Sequence, residues 1–351
     1  MSKVTRMSKE DVRAHVLRSA QEQNLHPFDL QITRKVRVHS HTSHPATAHY
    51  HARSRDGSEE YCIKFFDTST EEKLMFFQTE ARLLEELNQK TLGSSVAMTP
   101  AVYLADAKSG ILVMDWLNGF SMKSSLAAAN YSTDRRNRLL RLSAQWLRQF
   151  HAASGIERKP ANASAILEKL QISIQAMTDH HRNLLLSDES VIRGIDRLGQ
   201  LVPAMDELSV EWSLHHRDFT PSNLIVSHKG SAVRGIDFGK ASENAPVSLD
   251  LATFIVRTHD IGSGLGIAGA RSDASRLSET IEVMLSEYSP QLSGADRDWI
   301  MWCVLYWSIY RIVVSYTAGV PAANWNIPGR MNSHFKQRKS RRLVQAVYSL
   351  L

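Results

Sequence analysis

Cysteine is nearly missing from this chain. Cys62 and Cys303 are the only 2 among 351 residues, too few for a disulfide framework and in keeping with a reducing, cytoplasmic setting. No signal pattern opens the sequence; Ser8-Lys-Glu-Asp-Val-Arg-Ala-His-Val-Leu-Arg reads instead as a capped amphipathic helix. Internal repeats and low-complexity tracts are missing too. The longest apolar run, from Trp299 to Tyr310, is too short to span a bilayer, and Arg311 interrupts its continuation, so it reads as a buried helix and no transmembrane segment is expected. Acidic residues are missing from Trp299 to Leu351, where Arg311, Arg330, Lys336, Arg338, Lys339, Arg341 and Arg342 leave only positive charge. With a net charge of +6, this stretch reads either as attraction to an anionic partner or as a solvated terminal helix. It lacks the aromatic interleaving of nucleic-acid binders, and no nucleic acid is expected.

What is present is ordinary for a globular chain. Hydrophobic residues make up 43% and charged residues 22%, and the length allows more than one packed core.

The informative segment is His216-Arg217-Asp218-Phe219-Thr220-Pro221-Ser222-Asn223, followed by Ile236-Asp237-Phe238-Gly239. An Asp that accepts the proton of an attacking hydroxyl is followed by an Asn and, after the strand-turn-strand Leu224 to Ile236, by a second Asp. The Asn and the second Asp are hard oxygen ligands of the kind Mg²⁺ takes, and Mg²⁺ in turn bridges nucleotide phosphates. Either element alone is a weak signal; both in this order and spacing point to phosphoryl transfer.

The upstream half carries matching elements. Tyr61-Cys62-Ile63-Lys64-Phe65-Phe66 alternates as a strand with a Lys inside an apolar run, and such a Lys is costly unless it meets anions, here the nucleotide phosphates. Gln78 to Leu87 has helical period and brings Glu80 forward as the partner of Lys64, with Glu85 and Glu86 as the competing carboxylates. Strands Ala101 to Asp106 and Gly110 to Asp115 follow, and then Asp115-Trp116-Leu117-Asn118-Gly119, placed where a kinase hinge offers backbone groups to adenine. Cys62 lies two residues before Lys64 and on a strand faces the same way, toward the adenine side.

Together these segments resemble the aminoglycoside phosphotransferase and choline kinase group of small-molecule kinases. The likeness runs from about residue 30 to about residue 255 and includes Trp146-Leu-Arg-Gln-Phe-His-Ala152 and Pro246-Val-Ser-Leu-Asp-Leu-Ala252. It implies an α+β, two-lobed, protein-kinase-like fold. A helical extension over 1–28 would precede a small antiparallel-sheet lobe over 29–116. A larger helical lobe over 117–351 would follow, with an insert at about 160–208. It implies ATP and Mg²⁺, Asp218 as catalytic base, Asn223 and Asp237 as metal ligands, Lys64 as phosphate ligand, and Asp250 as a brace of the catalytic loop. The phosphate-covering loop would fall in Val38 to Ala46, which has no Gly, leaving hydroxyls of Ser40, Thr42 and Ser43 to replace backbone amides.

The expected activity is transfer of the ATP γ-phosphate to a hydroxyl of a small molecule: a sugar, an amino alcohol or an antibiotic, neutral or anionic given the acid-free tail. A protein Ser/Thr kinase is the alternative, disfavoured by Thr220 and by the short path from Asp237 to Asp250 without Ala-Pro-Glu. A silent kinase-like binding module is disfavoured because Lys64, Glu80, Asp218, Asn223 and Asp237 are all present. His39, His41, His44, His49 and His51 have poor spacing for zinc and no Cys partner. Trp299, Trp302 and Tyr306 follow helical spacing, as a core stripe or as a cage for a quaternary ammonium.

Overall fold

Hydrophobic alternation, caps and turn residues divide the described residues into helices and strands in the computed structural model, which describes residues 7–25, 30–41, 44–91, 97–262, 270–317, 341–348 and 350. In chain order the first are α1 (Lys9–Glu22), β1 (Leu30–His41), β2 (His44–Ser54), β3 (Glu60–Phe66), α2 (Glu71–Lys90), β4 (Val102–Asp106), β5 (Ile111–Asp115) and β6 (Gly119–Ser121). Then come α3 (Met122–Ala128), α4 (Thr133–Ser154), β7 (Glu157–Pro160), α5 (Ala163–Gln175), α6 (Asp179–Leu186), α7 (Glu189–Asp206) and β8 (Ser209–His215). After these come β9 (Leu224–Ser227), β10 (Val233–Gly235), β11 (Ser242–Pro246), α8 (Ser248–Gly262), α9 (Ala270–Tyr288) and α10 (Gly294–Thr317), and a further helical stretch over 341–348.

Two compact units result. The first comprises Met1–Phe120 and Asn223–Ala241, the second Ser121–Ser222 and Ser242–Leu351. The hairpin that carries Asp237 thus packs with the first unit although it follows the catalytic loop in sequence.

The first unit is built on a five-stranded antiparallel sheet in the order β1-β2-β3-β5-β4. Helix α1 begins at a capping box, in which Ser8 and Asp11 satisfy each other's backbone N–H groups. Its apolar stripe, Val12 and Val16, packs into one core with Leu30, Tyr50, Ile63, Phe65, Leu104 and Val113 of the sheet. The amino-terminal helix is therefore part of this unit's core.

The second unit is mainly helical, with a small β7-β8-β11 sheet. The expected insert is the run α5, α6 and α7 between β7 and β8. Helix α10 extends beyond the apolar run read from sequence: it continues through Arg311 to Thr317. By length and composition alone it is long and apolar enough to cross a membrane, but 67% of that window is buried within the fold. Trp299, Trp302 and Tyr306 stack with ring centroids 5.2 and 5.9 Å apart and are buried, so this stripe is core packing and forms no exposed cage.

Candidate active site

Lys64 occupies the middle of β3 and is sealed from solvent, 2% exposed. Residues Phe77, Glu80, Ala81, Leu84 and Leu87 form the buried face of α2 at helical spacing. Glu80 therefore faces inward while Glu85 is exposed and Glu86 pairs with Arg82 on the outer surface. Lys64 Nζ donates to both carboxylate oxygens of Glu80 at 2.8 Å each and to Asp237 Oδ1 at 2.8 Å. Burial pulls the Lys64 ammonium down, but Asp237 and Glu80 together outweigh it and hold the group above the ordinary lysine value. Glu80 is pushed up to about 7 by burial, with Lys64 opposing and Asp237 adding to the rise. One ammonium shared by two carboxylates compensates neither fully, and the more buried carboxylate carries the deficit.

Asp237 reaches Lys64 through a hairpin. In the β9–β10 pair Leu224 lies opposite Gly235, and the Ile236 N–H donates to the Asn223 carbonyl at 3.0 Å. Asn223 and Asp237 thus sit at the same open end of one hairpin. Asp237 adopts a left-handed backbone, φ 72°, which Asp tolerates better than most residues. Gly239 is required by packing: a Cβ there would lie 2.0 Å from the Phe76 ring on α2. The Asp237 side chain is 42% exposed, against 1% for Glu80. The amide oxygen of Asn223 and the carboxylate of Asp237 are hard donors, the class that suits Mg²⁺. Among the described residues no group of three or more His, Cys, Asp or Glu side chains is arranged to hold a metal.

In the second unit the loop that carries Asp218, expected from the sequence to be the catalytic loop, is held by one carboxylate. Asp250, fully buried on α8, accepts from the backbone N–H of His216 at 2.8 Å and of Arg217 at 3.2 Å. It also meets His151 Nε2 at 3.2 Å and His215 Nε2 at 3.1 Å. Burial alone would raise the Asp250 carboxyl, but His215 and His151 take it far below the usual carboxylate range. Arg217, at φ 62°, holds a left-handed conformation uncommon outside Gly, and the Asp250 contact fixes its amide. Phe219 anchors the other flank of Asp218, stacked on Phe254 at 4.8 Å and on Trp146 at 5.6 Å. Asp218 is left half-buried between these anchors. His151, His215 and Tyr288, which takes part through a 2.8 Å contact with His151 Nδ1, were not assigned roles from sequence. The only local signal was a histidine on the apolar face of α4.

The hinge residues contribute differently from one another. The Asp115 carboxylate accepts from the Ala101 N–H at 3.0 Å and the Tyr103 hydroxyl at 2.7 Å, so its side chain is committed to structure. The Trp116 N–H donates to the Glu60 carbonyl, and its ring packs edge-on against His51 at 4.5 Å. Leu117 is half-buried, and its N–H has no acceptor among the described residues. Cys62 lies two residues before Lys64 on β3, on the same face of the strand, and burial pushes its thiol up to about 12, with Lys64 opposing and Glu80 reinforcing the shift. Of the phosphate-loop hydroxyls, Ser40 lies on β1, while Thr42 and Ser43 lie outside the described residues.

The acid-free tail is less positive in the fold than in the sequence. Arg311 pairs with Asp260 at 2.5 Å, Arg341 with Asp188, and Arg342 with Asp273. Arg330, Lys336, Arg338 and Lys339 lie outside the described residues. The carboxylates that neutralise the described three come from elements far away in sequence, so an electrostatic argument from the tail alone loses them.

The profile of the phosphotransferase enzyme family matches residues 46–280, whereas no curated protein matches the sequence. Among solved structures the chain is similar to an amicoumacin kinase bound to AMP-PNP, Ca²⁺ and its antibiotic, with a TM-score of 0.54, 12% identity, and 95% of this chain and 96% of that chain covered. It is similar to a macrolide 2'-phosphotransferase type I, with a TM-score of 0.53, 12% identity, and coverage of 94% and 98%. It is also similar to the Plasmodium vivax ethanolamine kinase, with a TM-score of 0.50, 11% identity, and coverage of 89% and 82%. These likenesses show the protein-kinase-like α+β fold, and with the matched family profile, which spans more than half of its length, the chain belongs to the phosphotransferase enzyme family.

Proposed function

We propose that this protein transfers the γ-phosphate of ATP to a hydroxyl of a small molecule, with Asp218 taking the proton of that hydroxyl. The observation that carries the proposal is the sealed Lys64, bonded at 2.8 Å to Glu80 and to Asp237. A buried ion cluster is a weak source of stability, and its components are those a phosphate site requires. The two bonds are unequal. Glu80 is enclosed and fixes Lys64, whereas Asp237 is accessible and exchangeable. In this scheme Lys64 keeps Glu80 and turns from Asp237 to the α- and β-phosphates of the nucleotide. Asp237 and Asn223 are the residues that would hold Mg²⁺, which would supply neutralisation of the phosphate charge. The unengaged N–H of Leu117 is the donor best suited to an adenine edge.

Asp218 acts by position. The backbone on its amino-terminal side is tied to Asp250 and its carboxy-terminal neighbour is stacked in an aromatic cluster, so the carboxylate is held ready to accept a proton. For the acceptor we propose a neutral or anionic molecule. Arg257 on α8 keeps surface exposure although burial and Arg311 weigh most on its guanidinium, and it lies within electrostatic reach of Asp218; a cation there disfavours a polycation. The test is a panel of sugars, amino alcohols and antibiotics incubated with Mg²⁺ and ATP and read by the mass gain of one phosphoryl group. Phosphorylation by the wild type and not by Asp218→Asn is expected. A panel in which only polycations react would overturn the acceptor assignment, and equal turnover in Asp218→Asn would overturn the base.

A further inference from the structure

Among the described residues other than glycine that hold a positive φ, Arg217 stands apart. Asn24, Asn162, Asn244 and Asp237 are of the types that tolerate the left-handed region, whereas Arg217 sits at φ 62° with a long side chain. A glycine would adopt that backbone without steric cost. The Arg217 amide donates to Asp250 at 3.2 Å, but that bond belongs to the backbone and a glycine would make it equally well. The side chain itself is exposed, and its guanidinium has neither hydrogen bond nor ion pair among the described residues. What arginine adds over glycine is therefore a cation held one residue before Asp218. Backbone strain that packing does not require is a mark of functional positions.

A second guanidinium arrives from α8. Asp250, Phe254 and Arg257 stand at i, i+4 and i+7, a stripe along one face of the helix. Asp250 takes the amides of His216 and Arg217, and Phe254 stacks on Phe219 at 4.8 Å. The stripe thus follows the loop, and its last member comes within electrostatic reach of Asp218. Arg148, Arg158 and Arg311 of the same unit each have a carboxylate partner. Arg257 has no hydrogen bond or ion pair among the described residues, and Asp260, one turn further along α8, is bonded to Arg311. Burial first and Arg311 second pull the Arg257 guanidinium below the ordinary arginine value, with Asp260 and Asp218 opposing; an anion docked there would favour the charged form. Two uncommitted guanidiniums therefore stand beside the single carboxylate of Asp218.

We propose that Arg217 and Arg257 read an oxyanion, a carboxylate or a phosphate, on the acceptor molecule, so that the substrate is a hydroxy acid or a phosphorylated alcohol. That the bound molecule is the acceptor rests on the assignment of Asp218 as base; the anion site does not, and its test is a binding measurement on the full chain without nucleotide. Glycerol, glycerate, glycerol phosphate and serinol share a three-carbon frame and differ in charge. Titrated by ligand-observed NMR, the two anions should bind at least about tenfold more tightly than neutral glycerol or cationic serinol. The tighter of the two tells carboxylate from phosphate, and either order upholds the site. Arg257→Gln should weaken both anions by at least about fivefold and leave glycerol unchanged, and Arg257→Lys should recover part of the loss. Arg217→Gly should weaken them too, with a urea midpoint no lower than wild type because the backbone strain is relieved. Asp218→Asn removes a negative charge beside the site and should tighten both anions. Anions that bind the wild type no tighter than glycerol overturn the proposal and leave a neutral acceptor. Unchanged anion binding in Arg217→Gly, with a lower urea midpoint, removes Arg217 from the site. Anion binding indifferent to Asp218→Asn places the site away from the base and overturns its role in the acceptor. Turnover by Asp218→Asn, measured separately, bears on the base alone.

Discussion

Lys64 Nζ lies equidistant, at 2.8 Å, from the two carboxylate oxygens of Glu80, a symmetric ion pair sealed between a strand and a helix of the same unit. The third ligand of the ammonium, Asp237, is exposed, so the two carboxylates differ in what their removal costs. Removing Lys64 leaves Glu80 buried without a cation; Lys64→Met should destabilise the protein by about 3–5 kcal/mol. Glu80→Gln leaves Lys64 its bond to Asp237 and should cost less. Urea unfolding of both variants gives the order, and the reverse order would show that Asp237 does not compensate Lys64 once Glu80 is neutralised.

Asp218→Asn should leave the fold and nucleotide affinity close to wild type while lowering turnover by about 10²–10⁴, the span of general-base catalysis. Isothermal titration with a non-hydrolysable ATP analogue, beside a turnover assay, separates the two effects.

Gly239→Ala places a methyl where the Phe76 ring stands, 2.0 Å from its nearest atom. Overpacking of this kind costs about 1–3 kcal/mol, and the shift would propagate to Asp237. Phe76→Leu in the same chain should restore most of the lost stability. A double-mutant cycle with no coupling would show that the ring moves aside freely.

Acid should destabilise the protein in two stages. His151 and His259 are held below the ordinary histidine value by burial, so below about pH 6.5 the unfolded chain binds protons that the folded one does not, and stability falls. Glu80, raised to about 7, has the opposite sign: its contribution is present at low pH and lost as pH rises toward 7, which blunts the first stage. Below the ordinary Asp value of about 3.9, the depressed Asp250 adds a loss with nothing to offset it. Melting temperature should thus change gently from pH 7 to about 4.5 and steeply below about 4. In Asp250→Asn the steep limb should flatten; an unchanged limb would assign it to other carboxylates.

Cys62 is half-buried and Cys303 fully buried. Burial pushes both thiols up to about 12, and the thiolate is the reactive form, so neither should react readily in the folded protein. Iodoacetamide at pH 7.5, read by mass spectrometry, should label both only after denaturation. Fast labelling of Cys62 in the native state would show that its partial exposure outweighs the raised pKa.

Much of the candidate site is legible locally. Helical periodicity alone puts Glu80 on the face of Phe77, Leu84 and Leu87 and leaves Glu85 and Glu86 outside. Strand alternation puts Lys64 and Cys62 on one side of β3. The short hairpin from Leu224 to Ile236 forces Asn223 and Asp237 together, because its register admits little else. These features depend on neighbours within a few residues, which is why the order of residue types specifies them.

The rest depends on which distant elements pack together. The Lys64–Asp237 bond joins positions 173 residues apart, and no local pattern indicates that Lys64 is shared by two carboxylates. The brace on the catalytic loop needs α4, α8 and α9 in register before His151, Asp250 and Tyr288 meet. The carboxylates that neutralise Arg311, Arg341 and Arg342 lie far upstream, so a tail that is uniformly positive in sequence is compensated in the fold. The sequence by itself determined which residue types make up the candidate site and the secondary structure that carries them. Tertiary packing decided how each charge is shared and compensated, because Coulomb and hydrogen-bond energies depend on separation in space and on burial, neither of which is local along the chain.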